Sequence, residues 1–391
     1  MREGKITFLN IFFLLTMNIG LDAKRAFLNR SGLGNYSRFI INSLANYHAE
    51  NNYTLFTPAV KPPVFTIETK NNLSVVRPKK LSHKWFPSVW RTFGIAKELA
   101  NNNVKLYHGL SGEIPHNIHK YGIQSVVTIH DLIFLRYPEL YKRIDRKIYE
   151  KKFRYACENA DRIIAISEQT KNDIIHFFGI KEEKITVLYQ GCQEIFQHEV
   201  SAQEMQKIKE KFSLPDNYML YVGTIEKRKN LMSVIEAIHK SDIDITLVVI
   251  GKQTKYSTLV SEYIAQNKLK NIRFLEGVTN EELPPIYQMA TLFIYPSLFE
   301  GFGIPILEAL YSRVPVITSK GGCFSEAGGP SSFYVDPQNA DKIADAIKKL
   351  LADKALRDKM IVEGIKYAHK FDHRILADQL NQLYISVANE Q

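Results

Sequence analysis

Short, continuously apolar runs alternate with longer amphipathic segments along nearly the whole chain, and this alternation constrains the fold most. The runs are Ile19–Leu21, Val104–Tyr107, Ser125–Ile129, Arg162–Ile166, Ile185–Leu188, Met219–Val222, Ile245–Ile250, Ile272–Leu275, Leu292–Tyr295, Val314–Thr318 and Phe333–Val335. Unbroken apolar runs are typical of strands buried on both faces of a parallel sheet. Helical patterns lie between them, among them Asn35–Asn46, Leu231–His239, Ser257–Gln266 and Asp341–Leu351. This order predicts an α/β fold with right-handed crossovers. The sequence shows no internal repeat with a period of roughly 20–50 residues, which argues against a solenoid.

A polar stretch between Gln190 and Asn217 divides the pattern into two halves. It contains a predicted helix, Ala202–Phe212, before a new strand begins. The length of 391 residues also suits two domains of roughly 100–200 residues each. We therefore expect doubly wound domains over residues 17–190 and 191–373. Open α/β sheets bind ligands at the carboxyl ends of their strands, so a ligand cleft is expected between the domains.

Three segments fall outside the regular pattern. The apolar N-terminal extension, residues 1–16, is shorter than the roughly 20 residues that span a bilayer. We interpret it as dispensable, with a signal peptide or a weak membrane-contacting tail as the alternatives. The polar, proline-containing stretch Asn51–Lys84 is predicted to be a loop region or helical excursion near the cleft. The last helix, Arg374–Val387 within residues 374–391, is expected to pack back across the boundary.

The composition narrows the class of protein and the nature of its partners. Hydrophobic residues make up 45% and charged residues 24%, which excludes a disordered chain, a collagen-like fibre and a disulfide-stapled miniature. The net charge of +10 favours an acidic partner, such as nucleotide phosphates or an anionic membrane. Three widely separated cysteines, Cys157, Cys192 and Cys323, indicate a reducing compartment, and hence a cytoplasmic location.

The segment Arg136–Arg154 concentrates positive charge, with eight Lys or Arg residues against three acids. Tyrosines 137, 141 and 149 are interleaved with the cations. Such a surface could meet anionic lipid or a lipid-diphosphate acceptor at the inner face of the cytoplasmic membrane. A solvated basic helix is the alternative.

A glycine-containing turn, SGLGNYS at residues 31–37, follows the first strand and precedes a helix. Gly32 and Gly34 would let backbone N–H groups and a helix N-terminus approach an anion. A tight strand–helix turn is the alternative. A dinucleotide fingerprint would need glycine where Ser37 stands, which argues against a NAD-dependent oxidoreductase.

A cationic run, Lys227-Arg228-Lys229, follows the strand Met219–Val222. A helix N-terminus together with Arg and Lys donors at a strand end suits a diphosphate. A solvated charge run would be the usual interpretation, but the position after an apolar strand favours a ligand site.

The most informative motif is EGFGIPILE, which runs from Glu300 to Glu308 after the strand Leu292–Tyr295. Its glycines expose backbone N–H groups, including those of Phe302, Gly303 and Ile304, as a helix begins. Glu300 and Glu308 could reach opposite ends of one ligand, and carboxylates accept hydrogen bonds from sugar or ribose hydroxyls. Favourable placement of two acids at a helix start is the alternative, and it explains Glu308 poorly.

Two further residues are candidates for the same cleft. His130 ends the apolar strand Ser125–Ile129, where a structural and a catalytic role are about equally supported. Glu326 follows the strand Val314–Thr318 and is a weaker candidate.

Together these residues resemble the family-four glycosyltransferases, which are retaining, nucleotide-sugar-dependent enzymes with two facing Rossmann-like domains, the GT-B architecture. The resemblance covers nearly the whole chain from Met17. It rests on SGLGNYSR, VVTIHDLIFLRYPE, ADRIIAISE, YVGTIEKRKN, ATLFIYPSLFEGFGIPILEAL, VPVIT and FYVDP. The E-x7-E element is its most specific part. YVGTIEKRKN and TIHDLIFLRYPE are most similar to the polysaccharide-assembly branch, where mannosyltransferases are frequent.

The resemblance implies a role for each matching position. Gly32 and Gly34 would lie near the donor phosphates, and Arg228 and Lys229 would neutralise the diphosphate. His130 would sit beside the transferred sugar. Glu300 would contact that sugar, with backbone donors from residues 302–304, and Glu308 would hold the ribose hydroxyls.

The chain departs from the family pattern at two places. Thr224 stands where many members carry Arg, so Arg228 must supply that charge or the diphosphate is held more weakly. Gln190-Gly191 stands where members often have Asn-Gly. This position is expected near the hinge, so the departure bears on closure of the domains more than on the chemistry.

The resemblance implies transfer with retention, by attack on the same face of the sugar. Fixed cations make a metal unnecessary, and no DxD-type carboxylate pair is placed for one, so neither metal nor cofactor is expected. The expected function is transfer of a hexose, mannose from GDP-mannose, to a glycan or lipid-linked acceptor in cell-surface polysaccharide synthesis. The alternatives are a UDP-sugar donor, a non-hydrolysing sugar-nucleotide epimerase and an inert sugar-nucleotide binder. No nucleic-acid-binding module is recognisable.

Overall fold

The computed structural model describes residues 16–30, 32–60, 70–80, 85–241 and 243–390. All but the last residue of the predicted N-terminal extension, 1–16, lie outside the described residues, as does Ser31 of the glycine-containing turn. No helix of the described part is long and apolar enough to cross a membrane.

Two parallel sheets form the framework, one in each half of the chain. The first has the order β3-β2-β1-β4-β5-β6-β7 and the second β10-β9-β8-β11-β12-β13. The strands are β1 Asn18–Asp22, β2 Asn52–Phe56, β3 Leu73–Val76, β4 Leu106–Gly109, β5 Gln124–Ile129, β6 Arg162–Ala165, β7 Ile185–Val187, β8 Tyr218–Val222, β9 Thr246–Ile250, β10 Ile272–Leu275, β11 Leu292–Tyr295, β12 Val316–Ser319 and β13 Phe333–Val335. The predicted doubly wound α/β architecture is confirmed.

Helices cover both faces of each sheet, as strands that are apolar on both sides require. The α-helices are Lys24–Leu28, Gly32–Tyr47, Pro87–Val89, Ile95–Asn101, Ile133–Arg136, Arg143–Asn159, Glu168–Phe178, Ala202–Phe212, Leu231–Ser241, Lys255–Gln266, Leu283–Gln288, Ile304–Tyr311, Phe324–Gly328, Ala340–Ala352, Lys354–Ala368 and His373–Asn389. A π-helical turn, Trp90–Gly94, joins the third to the fourth. β11 illustrates the packing, because all four of its residues are buried.

One prediction about secondary structure is wrong over the residues that the structure describes, which exclude 61–69 and 81–84. The stretch Asn51–Lys84, predicted to be a loop or helical excursion, contains the strands β2 and β3. β2 pairs with β1 from Asn18↔Asn52 to Asp22↔Phe56, and β3 extends the sheet to its edge. β3 is a short edge strand in which no residue is buried, so its sequence lacks the continuous apolar run that marks the central strands.

The C-terminal helix His373–Asn389 lies against the first half of the chain. It packs on Gly32–Tyr47, and Asp378 accepts a hydrogen bond from His48 at 2.9 Å. Inside this contact, the Tyr384 hydroxyl bonds His108 at 2.6 Å, and both side chains are buried. The helix therefore ties the end of the chain to the core beneath β4 and β5.

The strand order reverses between β1 and β4 in the first sheet and between β8 and β11 in the second. At such a switch point the connections leave in opposite directions and open a crevice at the carboxyl ends of the strands. The turn at Gly32 follows β1, His130 follows β5, Gly223 follows β8 and Glu300 follows β11. The topology therefore places all four predicted motifs at the carboxyl ends of strands, where a crevice is expected.

Candidate active site

A pocket of about 450 Å³ lies between the two halves of the chain at these strand ends. Residues from both halves line it. They include Gly32, Asn35, His130, Asp131, Gln190, Gln193, Gly223, Thr224, Lys229, Asn280, Leu283, Tyr295, Glu300, Phe302, Gly303, Ile304 and Glu308. A nucleotide sugar placed here would contact both halves at once.

Glu300 is the centre of a buried polar cluster in this pocket. One of its carboxylate oxygens accepts hydrogen bonds from Lys229 Nζ at 2.5 Å, Ser297 Oγ at 2.6 Å and the Tyr295 hydroxyl at 2.9 Å. The other lies 2.9 Å from Arg228 Nη1. Burial alone would raise the pKa of Glu300, but the two cations and these hydrogen bonds lower it to about 2. The carboxylate is therefore ionised throughout the physiological range.

Lys229 brings a positive charge to the wall of the pocket. Its ammonium group bonds the Tyr295 hydroxyl at 2.7 Å as well as Glu300. It ends a single helical turn, Lys227–Lys229, in the segment that follows β8. The ammonium carries three donors, and two of them are used in the pocket as it stands. A third donor remains for an anionic ligand.

Glu308 lies in the same pocket but in a contrasting environment. Its carboxyl accepts one hydrogen bond, from the buried Tyr287 hydroxyl at 3.0 Å. Burial raises the pKa of Glu308 to about 7, and the Tyr287 bond offsets this only partly. No cation forms an ion pair with Glu308 among the described residues, so the acid is half-protonated near neutral pH.

His130 contributes a neutral imidazole from the first half. Burial lowers the pKa of His130 to about 4. Its Nε2 donates to the Leu110 carbonyl at 2.9 Å, which leaves Nδ1 as a hydrogen-bond acceptor in the neutral ring. The Tyr36 ring packs edge-on against it, with centroids 4.6 Å apart. This arrangement suits contact with a sugar hydroxyl.

The two halves of the chain meet directly beside the pocket. The Gly301 carbonyl accepts a hydrogen bond from Ser167 Oγ at 2.7 Å, and the Glu300 carbonyl accepts one from Gln169 Nε2 at 2.6 Å. A Cβ atom at Gly301 would lie 2.2 Å from the His130 carbonyl oxygen. Only glycine permits this backbone approach, so the motif glycine serves contact between the halves.

Eight of the eleven predicted site residues line the pocket: Gly32, His130, Lys229, Glu300, Phe302, Gly303, Ile304 and Glu308. Arg228 is directed elsewhere, because its guanidinium bonds Glu226, Glu300 and the Phe299 carbonyl. Gly34 lies inside the helix, where a Cβ would sit 1.9 Å from the Asn29 carbonyl oxygen. Its lack of a side chain therefore permits packing of the turn.

Glu326 also lies away from the pocket lining. Its carboxylate accepts hydrogen bonds from the backbone N–H groups of Glu168, at 2.8 Å, and Gln169, at 3.4 Å. These groups begin the helix Glu168–Phe178, where a negative charge is favourable. The residue thus joins the second half of the chain to a helix of the first.

Sequence reasoning missed several lining residues, notably Asp131, Tyr295 and Gln193. Asp131 follows His130 directly, and burial raises the pKa of its carboxyl. Tyr295 is the last residue of β11, so its position at a strand end was the available signal. Gln193 lies in the irregular segment between the halves, and no local pattern marks it.

Comparison with known proteins agrees with this geometry. Residues 202–367 match the family described as "Glycosyl transferases group 1", and residues 31–193 match "Glycosyltransferase Family 4". Escherichia coli O-antigen chain mannosyltransferase B is 28% identical over 272 residues, which cover 68% of this chain and 70% of that protein.

Solved structures share the fold over almost the whole chain. Sucrose-phosphate synthase from Thermosynechococcus elongatus has a TM-score of 0.77 at 21% identity, covering 95% of this chain and 99% of that one. HepE of Anabaena in complex with UDP has a TM-score of 0.73 at 17% identity, covering 95% and 100%. With a glycosyltransferase match in each half and a shared two-sheet architecture, this chain belongs to the group 1 glycosyl transferases with the GT-B fold.

Proposed function

We propose that the protein transfers mannose from GDP-mannose, with retention of configuration, to a glycan or lipid-linked acceptor in cell-surface polysaccharide synthesis. The observation that carries this proposal is the presence of Lys229, Glu300 and Glu308 in one pocket between the halves. An activated sugar has an anionic diphosphate between two hydroxyl-rich ends, and the pocket offers a cation and two acids. The similarity to an O-antigen mannosyltransferase supports mannose as the sugar.

Donor binding divides among the residues according to their charge. The free donor of Lys229 would meet the diphosphate, together with backbone N–H groups of Gly303 and Ile304 at the start of a helix. Once ionised, the Glu308 carboxylate would accept hydrogen bonds from the ribose hydroxyls. Glu300 and His130 would contact the sugar from opposite halves of the chain.

The chemical step breaks the bond between the anomeric carbon and the phosphate oxygen, whose electron pair leaves with the nucleoside diphosphate. The acceptor oxygen bonds the anomeric carbon on the same face, and its proton passes to the departing phosphate. Lys229 would stabilise the charge that builds on the leaving group, which is usually the largest single contribution in such a site. Contact between the halves would exclude water, which would otherwise hydrolyse the donor.

The proposal requires neither a metal ion nor a cofactor. A divalent cation often neutralises a leaving diphosphate, and the Lys229 ammonium would supply that charge here. It also places the enzyme in the cytoplasm. The buried, unpaired thiols of Cys157, Cys192 and Cys323 support this, because a reducing compartment keeps cysteines in that form.

The acceptor would bind the first half of the chain, where the basic helix Arg143–Asn159 begins close to the pocket. Tyr137, just before that helix, packs against Phe299, with ring centroids 5.4 Å apart. Phe299 immediately precedes Glu300. We include in the proposal a peripheral contact between this helix and an anionic membrane that would carry the acceptor.

Thermal-shift measurements with GDP, UDP and their mannose and glucose conjugates would test the donor, because a ligand that binds the folded state raises the melting temperature. Turnover of labelled GDP-mannose with a lipid-linked acceptor would then test transfer, and the product's anomeric configuration would test retention. Stabilisation by UDP alone would replace GDP-mannose with a UDP-sugar. Epimerised donor, or binding without turnover, would refute transfer.

A further inference from the structure

A second surface of the first half has an unusual composition: apolar side chains face the solvent. They belong to the helical stretch from residue 87 to residue 101 and to the two residues before it. Trp85 is 78% exposed, Phe86 64% and Phe93 58%, with Val89 between them. Val89 and Phe93 are four residues apart and share one helical face, and Phe86 is the residue that precedes the helix. We call these four side chains the apolar wedge.

The opposite face of the same stretch explains why the wedge stays outside. Trp90, Ile95 and Leu99 are buried in the core of the first half. Arg91 is also buried, and its guanidinium bonds Asp22 at 2.7 Å. The inner side of the stretch is therefore packed into the core, while the wedge side chains remain largely exposed to solvent.

The basic helix Arg143–Asn159 lies beside the wedge. The His116 ring stacks on Tyr155 of that helix at 3.8 Å and lies 5.4 Å from the Phe93 ring. A second link runs through Glu113, which bonds both Arg91 and Lys152 of the basic helix. Two independent bridges thus fix the wedge and the basic helix as one surface.

The basic helix presents both charge and apolar area to solvent. Arg143, Lys147 and Lys151 recur every four residues, and none forms an ion pair with a described residue. The neighbouring stripe contains Ile144, which is 74% exposed, and Ile148. Free cations beside exposed aliphatic and aromatic side chains are the composition of a surface that binds the interface of an anionic bilayer.

We propose that the apolar wedge inserts into an anionic membrane while the cations of the basic helix contact the lipid headgroups. Free cations around the wedge favour a bilayer over a second copy of this chain, because two such copies would repel each other. The inference rests on the proposed function only for its purpose, which is delivery of a lipid-linked acceptor to the cleft. The contact of Tyr137 with Phe299 places one end of this surface at the cleft.

Tryptophan fluorescence provides a direct test, because the chain has only two tryptophans. Trp90 is fully buried, so Trp85 is the one that a membrane can reach. We expect its emission to shift to the blue when the full chain meets vesicles of equal parts phosphatidylcholine and phosphatidylglycerol. Bromine atoms on the lipid acyl chains should quench it, and Trp85→Phe should abolish both effects. Vesicles of phosphatidylcholine alone should give neither.

Matched variants distinguish insertion of the wedge from nonspecific adsorption of exposed apolar side chains to the bilayer. Phe86→Ser with Phe93→Ser should weaken vesicle binding about tenfold or more, since two large apolar side chains leave the bilayer. Leu259→Ser with Val362→Ser removes comparably exposed apolar residues from the second half and should leave binding unchanged. Transfer to a water-soluble acceptor should be the same in all variants.

Three results with vesicles or with the protein alone would overturn the inference. These are vesicle binding without quenching, no binding to anionic vesicles, and a dimer in solution that the Phe86→Ser, Phe93→Ser variant abolishes. Stronger binding to nucleic acid than to vesicles would do the same. Failure of the proposed function is distinguishable, because it would appear as absent transfer to the soluble acceptor while Trp85 quenching persists.

Discussion

Replacing Lys229 with Met should reduce kcat by about 10²–10³, because it removes the cation proposed to meet the leaving diphosphate. That loss corresponds to about 3–4 kcal/mol of transition-state stabilisation. The fold should lose less. Without Lys229, the Glu300 carboxylate keeps Arg228 at 2.9 Å, Ser297 at 2.6 Å and Tyr295 at 2.9 Å. Loss of one charged hydrogen bond among four should lower the free energy of unfolding by about 1–3 kcal/mol.

Initial rates with labelled GDP-mannose and urea denaturation would measure the two effects separately. Lys227→Met is a matched control, since Lys227 belongs to the same cationic run but is exposed and outside the pocket. The reasoning would be refuted if Lys229→Met retained wild-type kcat. It would equally fail if Lys227→Met lost as much activity, because net charge would then matter more than position.

Four further outcomes are expected. Glu308→Gln should weaken nucleoside diphosphate binding about tenfold in calorimetry, as a charged acceptor of ribose hydroxyls is lost, whereas Glu281→Gln beside the pocket should not. Wild-type affinity should rise as pH increases through about 7, where Glu308 ionises, and Glu308→Gln should lack this component. Transfer rates should survive EDTA; a loss restored by magnesium would contradict the proposed role of Lys229. Tyr384→Phe should lower the free energy of unfolding by about 1–2 kcal/mol in urea denaturation, because His108 loses a buried partner at 2.6 Å; an unchanged midpoint would argue against that bond.

The central strands were predictable because burial on both faces leaves a local signature. Leu292–Tyr295, Ile272–Leu275 and Phe333–Val335 have the same bounds in the sequence prediction and in the structure. β2 and β3 left a weaker signature. β3 has only four residues and faces solvent at the sheet edge, so its formation depends on pairing with β2. Such pairing is a tertiary interaction that no local window contains.

The site was predictable to the extent that topology alone determines it. Residues that follow parallel strands near a switch point lie close together in the fold. The sequence alone therefore predicted Lys229, Glu300 and His130 in one cleft. The direction of each side chain was not predictable. Arg228 and Lys229 are neighbours in the chain. Arg228 forms an ion pair with Glu300 outside the pocket lining, whereas Lys229 lines the pocket. That difference arises from the Glu226 and Phe299 contacts, which form only in the folded chain.

The two acids of the E-x7-E element show how environment gives one residue type two properties. Cations and hydrogen bonds lower the pKa of Glu300 to about 2, so its ionised form stabilises the fold above the ordinary value near 4.5. That contribution is lost as pH falls from 4.5 toward 2. Burial instead raises the pKa of Glu308 to about 7, so the fold loses stability as pH rises from 4.5 to 7.

The instability assigned to Glu308 has a functional logic under the proposed mechanism. An ionised Glu308 carboxylate forms no ion pair with a described residue, and the Tyr287 hydroxyl supplies the one hydrogen bond that it accepts. Ribose hydroxyls would supply the others, so nucleotide binding would favour ionisation and release a proton near neutral pH. Glu300 needs no such help because its donors are built into the fold. Glu300 is therefore ionised and hydrogen-bonded before the sugar binds. Glu308 would gain its remaining hydrogen-bond donors only when the nucleotide binds.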